Sequence, residues 1–158
     1  FVGLVYGTGC TAVLDKLSVN YYERNYSARI PVEELDPKTQ PEPSVQNALM
    51  RHHGERVKMH VDGGWEVLGS SEFNTSGSPR HNHLLKLARK LGSELVVYSR
   101  EFDRREQELV KRSEYQQGER ITVNGTTVEM EGRWMDVIDV VTRTYHDFRV
   151  TFLRTERE

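Results

Sequence analysis

The hydrophobic pattern changes period several times along the chain, and each change predicts an element. Trp65-Glu66-Val67-Leu68-Gly69 is a short apolar run that reads as a strand. The polar stretch 70–77 after it reads as a loop carrying one aromatic, Phe73. Ser78 as N-cap and Pro79 at the first helical position then open a helix. Its Leu84, Leu87, Ala88 and Leu91 form one apolar stripe before Gly92 closes it. Leu95-Val96-Val97-Tyr98 is the continuous apolar run of a central strand. Strand, loop, helix and strand within about 35 residues predict a right-handed crossover joining two parallel strands.

Upstream of this unit, residues 44–53 follow Pro43 and place Val45, Ala48 and Leu49 at helical spacing, which predicts a short helix with Gly54 as its C-cap. Residues 57–60 alternate weakly as a strand before the turn at Asp62-Gly63-Gly64. Downstream, Ile121-Thr122-Val123 and Thr127-Val128-Glu129-Met130 flank Asn124-Gly125, a strong hairpin signal. Residues 134–142 are rich in Val and Ile and predict another strand of the same sheet. Phe148, Val150 and Phe152 alternate with Arg149, Thr151 and Leu153 as a last one. Between these regions, residues 100–120 carry both charges throughout. Phe102, Leu109, Val110 and Tyr115 fit neither period there, so a helix and long hairpin arms both stay open, and a solvated face is the simplest reading. The expected fold is α+β: a mixed β-sheet of about six strands with two short helices packed on it and an extended N-terminal arm.

That arm comes from residues 18–41, where Tyr21, Tyr22 and Tyr26 precede Pro31, Pro37 and Pro41. Each proline removes a backbone donor and restricts its predecessor, which disfavours a helix and a central strand alike. The predicted organisation is an apolar segment and Tyr/Pro-rich arm over 1–41 and a single α+β domain over 42–158. The chain opens Phe1-Val2-Gly3-Leu4-Val5-Tyr6-Gly7-Thr8-Gly9-Cys10. This stretch resembles the tail of an export signal, with small residues where a lipoprotein signal is cut but no Leu three positions before the cysteine. Cys10 is therefore a lipidation candidate, and an ordinary buried strand is the competing reading. Phe1, Leu4, Tyr21, Tyr22 and Tyr26 are the candidate contacts for a partner.

Composition narrows the function classes. With 158 residues the chain has the size of one domain able to bury a core without staples. Lys and Arg number 22 against 24 Asp and Glu, a net charge of −2, which gives no global footprint for nucleic acid. Cys10 is the single cysteine, so an intrachain disulfide and a cysteine-based zinc site are both excluded. No motif specifies a cofactor.

The run 64–74, with 88–98 after it, resembles a group of uncharacterised bacterial exported proteins and lipoproteins. In that group a glycine-aromatic strand with a Gly-x-Ser-x-Phe turn, here Gly69 to Phe73, leads to a helix ending in Ala-x-x-x-Gly and then a valine-rich strand, here Ala88, Gly92 and Val96-Val97. Ser93 stands where the group usually has Ala. The resemblance implies an extracytoplasmic compartment (periplasm, outer membrane or cell surface) and a small envelope-type fold. It implies no reaction.

The chemical signals are weak. His81 and His83 are two apart on a predicted helix and do not face each other, and the adjacent His52 and His53 are no better placed to share a metal. A site built from His60 and Asp62 is not required by their spacing. Ser70 and Ser71 follow a strand, but Gly69-Ser70-Ser71-Glu72-Phe73 lacks the second glycine of a nucleophile elbow. Asp136, Asp139, Glu129 and Glu131 on strands divide between faces or point to solvent. Arg104, Arg105, Lys111 and Arg112 form the one basic concentration, interrupted by Glu106 and Glu108. Asn25, Asn74 and Asn124 satisfy the N-glycosylation pattern, with Asn74 in the predicted loop the most accessible.

The expected function is a non-enzymatic envelope or cell-surface structural or interaction protein, one subunit of a larger assembly. It would associate with a protein partner or with itself through the N-terminal arm, with a lipid anchor at Cys10. The alternative is a small hydrolase-type enzyme with a His/Asp site, for which His60, His83 and His146 are the histidines to inspect.

Overall fold

The computed structural model describes residues 18–31, 33, 35, 36 and 38–156. Phe1, Leu4 and Cys10 lie outside them. The first elements are α1 (Tyr21–Arg24), β1 (Tyr26–Ala28), β2 (Ser44–Asn47), a 3-10 turn (Met50–His52) and α2 (His53–Asp62). After these come β3 (Trp65–Thr75), α3 (His81–Leu91), β4 (Leu95–Gln116), β5 (Arg120–Val123), β6 (Thr126–Glu129) and β7 (Arg133–Thr155). The chain divides into two compact units: the described residues up to Asp103 together with those from Tyr145 onward, and Arg104–Thr144. This division differs from the expected boundary between residues 41 and 42.

The larger unit is built on a five-stranded sheet of order β1-β3-β7-β4-β2. β1 runs antiparallel to β3, β3 antiparallel to β7, and β2 parallel to β4, so the sheet is mixed and the fold is α+β as the sequence predicts. Apolar side chains alternate onto its two faces. On one, Val96, Val150, Phe152 and Leu68 pack with Tyr22 of α1 and with Leu84, Leu87 and Ala88 of α3. On the other, Leu95, Val97 and Leu153 pack with Val57 of α2 and with Trp65 and Val67. A strand buried on both faces must be apolar at every position, which is why 95–97 reads as an uninterrupted run.

Several local expectations are corrected. Residues 44–47 are a strand, not a helix. Their backbone pairs with Leu95–Tyr98, and the prolines just before them favour extended backbone. Leu49, which the helical stripe would bury, is 61% exposed. The helix begins instead at His53, with Gly54 in its first turn, and takes in the 57–60 segment read as a strand. Residues 70–75 continue β3 rather than forming a loop, and β7 lies between β3 and β4, so the two strands flanking α3 are not neighbours. α3 starts at His81 rather than at Pro79, and Gly92 caps it in the left-handed conformation (φ 70°), which the absence of a Cβ permits.

The tyrosine segment is less irregular than its prolines suggest. The Asn20 side chain accepts from the Tyr22 and Glu23 amides and starts α1, and Tyr26–Ala28 pairs with β3 opposite Gly69–Ser71. Gly69 does not end its strand. A Cβ there would stand 2.4 Å from the Ser27 carbonyl oxygen and 2.5 Å from the Tyr26 hydroxyl, so the glycine makes room for β1 and for the Tyr26 ring. Gly69→Ala is expected to displace β1 and cost about 1–3 kcal/mol. Urea unfolding with amide exchange at 26–28 checks this, and unchanged stability and protection would show that the contact is looser than stated.

In the smaller unit, β5 and β6 form the predicted hairpin. Asn124 (φ 51°) and Gly125 (φ 79°) both take positive φ, the requirement of a two-residue type I′ turn. Residues 104–116, left open between helix and hairpin arm, belong to β4.

Candidate functional site

The histidines are not assembled into a catalytic group. His60 on α2 shares a 2.6 Å hydrogen bond with the Gln46 side-chain amide oxygen and meets the Trp65 ring edge-on. His83 on α3, on the other face of the sheet, is buried against the Ser18 hydroxyl at 3.2 Å. His146 on β7 accepts from the Arg100 guanidinium at 3.2 Å. His52 pairs with Glu55 at the surface, while its neighbour His53 points inward, so the two diverge. Among the described residues no three His, Cys, Asp or Glu side chains are grouped to hold a metal ion.

His53 is the residue that sequence reasoning missed. It is 2% exposed and bridges two strands, with Nδ1 2.7 Å from the Ser99 hydroxyl on β4 and Nε2 2.8 Å from the Thr151 hydroxyl on β7. Burial, helped by the Arg149 charge and opposed by Glu72, lowers its pKa to about 4, so the ring is neutral at pH 7. It borders a cleft of about 480 Å³ between β1, the first turn of α2 and the β3–β7 pair, where Arg29, Ser70, Glu72 and Arg149 supply the polar groups. Glu72 and Arg149 pair with each other at 3.0 Å. Both His53 ring nitrogens are occupied by hydroxyls, and its partner Ser99 is fully buried, so the His53–Ser99 pair presents neither a free base nor an exposed hydroxyl to the cleft. A buried His-Ser pair left only an ambiguous sign in the sequence: His53 beside His52.

The serines after the first predicted strand sit within β3. Ser71 is fully buried and donates to the Tyr22 carbonyl at 2.7 Å, which makes it part of the core. Tyr22 itself, expected as a partner contact, is 1% exposed inside the core. Tyr21 stacks on Phe73, and the Tyr26 hydroxyl donates to the Leu68 carbonyl. These three tyrosines hold α1 and β1 onto their own unit. Asn74, expected in a loop, lies on β3 and donates to the carboxylates of Asp103 and Asp147.

The Arg104–Thr144 unit has the opposite character. Of the fifteen large apolar side chains exposed among the described residues, ten belong to it, from Leu109 to Val141. Its β5–β6 hairpin is two-faced: Ile121, Val123 and Val128 share one side, while the Arg120–Glu129 ion pair and the Thr122–Thr127 hydroxyl pair share the other. In β4 and β7, Tyr115 meets the Trp134 ring at 5.4 Å, and Asp136 takes Lys111 at 2.8 Å and the Ser113 hydroxyl at 3.3 Å. Alternation therefore puts Leu109 and Tyr115 on one face with Trp134, Ile138 and Val140. The other face carries the Arg112–Asp139 and Arg143–Glu108 ion pairs. Within the basic concentration Arg104, Lys111 and Arg112 are thus each paired with a carboxylate, Arg104 with Glu106. The carboxylates at 136 and 139 occupy opposite faces, as strand geometry predicts.

Among the described residues no helix is long and apolar enough to cross a membrane. No known protein family, curated protein or solved structure matches the chain.

Proposed function

We propose that this chain is a non-enzymatic structural or interaction protein of the bacterial envelope or cell surface, working as one subunit of a larger assembly through the apolar surface of its Arg104–Thr144 unit. The observation that carries the reading is the concentration of ten exposed large apolar side chains in this one segment. Isolated two-stranded ribbons are marginal in water, and apolar patches of this extent are characteristic of contact surfaces. With Tyr22 buried within its own core, we assign the contact to this unit rather than to the tyrosine arm. The envelope location is supported by the resemblance at 64–98 and by the signal-like stretch before Cys10. The hydrolase alternative has no comparable support, since the buried histidine has both nitrogens engaged.

The test is the native size of the chain in mild-detergent extracts of its source cells, with fractionation and intact mass. The wild-type chain is expected in the envelope fraction, in a complex well above its own 18.3 kDa. Trp134→Glu combined with Leu109→Glu is expected to migrate as a single chain. A wild-type chain extracted at single-chain size would remove the assembly reading, and recovery from the cytosolic fraction without acyl mass would remove the envelope reading.

A further inference from the structure

We infer that the face of β4 and β7 formed by Leu109, Tyr115, Trp134, Ile138 and Val140 binds a second copy of this chain, the two faces packing against each other across a two-fold axis. This rests on the proposed interaction role and names its partner. The five side chains are 72%, 50%, 70%, 66% and 60% exposed. Five large residues exposed to this degree offer an area of the order of the ~800 Å² per partner that a stable interface buries. Size alone fits many partners, but the charge arrangement favours this one.

A two-fold interface sets the same patch against itself, so any net charge on it would meet its like. Over the stretch from Leu109 to Tyr115 and from Trp134 to Val140 this face carries one cation and one anion, Lys111 and Asp136, already 2.8 Å apart. A two-fold axis near the pair lets each cation face an anion, so like charges need not meet. The whole unit is similarly balanced, with seven Lys and Arg against eight Asp and Glu between 104 and 144. An acidic or basic partner would find no complementary field here. The aromatic pair Tyr115 and Trp134 supplies the large, conformationally restricted anchors that concentrate binding energy at interfaces.

The experiment is sedimentation equilibrium of the purified full-length chain, at low salt and at about 1 M salt, where surface electrostatics are screened. A two-chain mass that persists at high salt is expected. Ile138→Arg places a cation in the centre of the face and should weaken association by about 30-fold or more. Its far-UV circular dichroism and unfolding midpoint should match the wild type, because Ile138 is 66% exposed. Lys111→Asp leaves two anions on the face and should also weaken the dimer, whereas Lys111→Asp with Asp136→Lys should restore it. A wild-type chain that stays monomeric at roughly 100 μM, far above the dissociation constant of a standard interface, overturns the inference. So does a dimer that survives Ile138→Arg. If the purified chain is monomeric while the native extract holds a large complex, a different protein covers the face and the interaction role itself stands.

Discussion

Phe152→Ala is expected to lower the unfolding free energy by about 3–5 kcal/mol, a large share of the 5–15 kcal/mol typical of a domain. Phe152 is fully buried on β7, between β3 and β4 in sheet order. It packs with Leu68, Leu84 and Val150, and the Tyr26 ring meets it edge-on at 5.7 Å. It also stands opposite Gly69, the one β3 position with no side chain of its own to fill the space, so truncation would leave a void that neither neighbour can close. Leu109→Ala, at a site 72% exposed, is the control and should change stability by less than about 0.5 kcal/mol in the monomer. Urea unfolding of both variants checks the pair. Equal effects would mean that the core has been assigned to the wrong face.

Acid should weaken the fold in a window set by His53. Its pKa falls from 6.5 in the ordinary state to about 4 in the folded chain, so the unfolded state binds a proton that the folded state refuses. The stabilisation is fully present above pH 6.5 and is lost as the pH falls toward 4. A shift of this size corresponds to about 3 kcal/mol. The physical cause is burial between Ser99 and Thr151, whose neutral hydroxyls pair with the ring but bring no negative charge to offset an imidazolium, which would also stand near Arg149. His53→Gln keeps polar atoms near both hydroxyls and removes the titration. Stability measured by urea at a series of pH values should fall more steeply for the wild type than for this variant between 6.5 and 4. Parallel curves would show that His53 titrates normally.

Legibility in the sequence followed how far local pattern and tertiary environment agree. The Asn124-Gly125 hairpin, the α3 stripe with its Gly92 cap, and the 95–97 core strand were all readable, because turn chemistry, helical period and two-sided burial each leave a local mark. Residues 44–62 were misread because β2 is held by pairing with β4, some 50 residues away in sequence, and Val45, Ala48 and Leu49 mimic a helical stripe by accident of spacing. Ser70 and Ser71 looked like loop residues, yet Ser71 is buried with its hydroxyl on the Tyr22 carbonyl, a satisfied polar group that hydropathy cannot foresee. His53 was hidden for the same reason, since its partners come from strands 46 and 98 residues downstream. The apolar surface of the smaller unit was present in the sequence but masked. Its apolar residues alternate with charges that pair across the strands, so the segment reads as a solvated face until the pairs are set on opposite sides.

The position of β7 bears on how the protein comes to be folded during synthesis. It is the last of the described elements in chain order, yet it sits in the middle of the five strands, between β3 and β4. A ribosome delivers β3, α3 and β4 first, and until residues 146–155 emerge these lack the strand that fills the gap between them. Val96, Leu68 and Leu84 then have no Val150 or Phe152 to cover them. The larger unit therefore folds late, after translation of its sheet is complete, and passes through an interval in which its core strands are bare and prone to capture by chaperones or by other nascent chains.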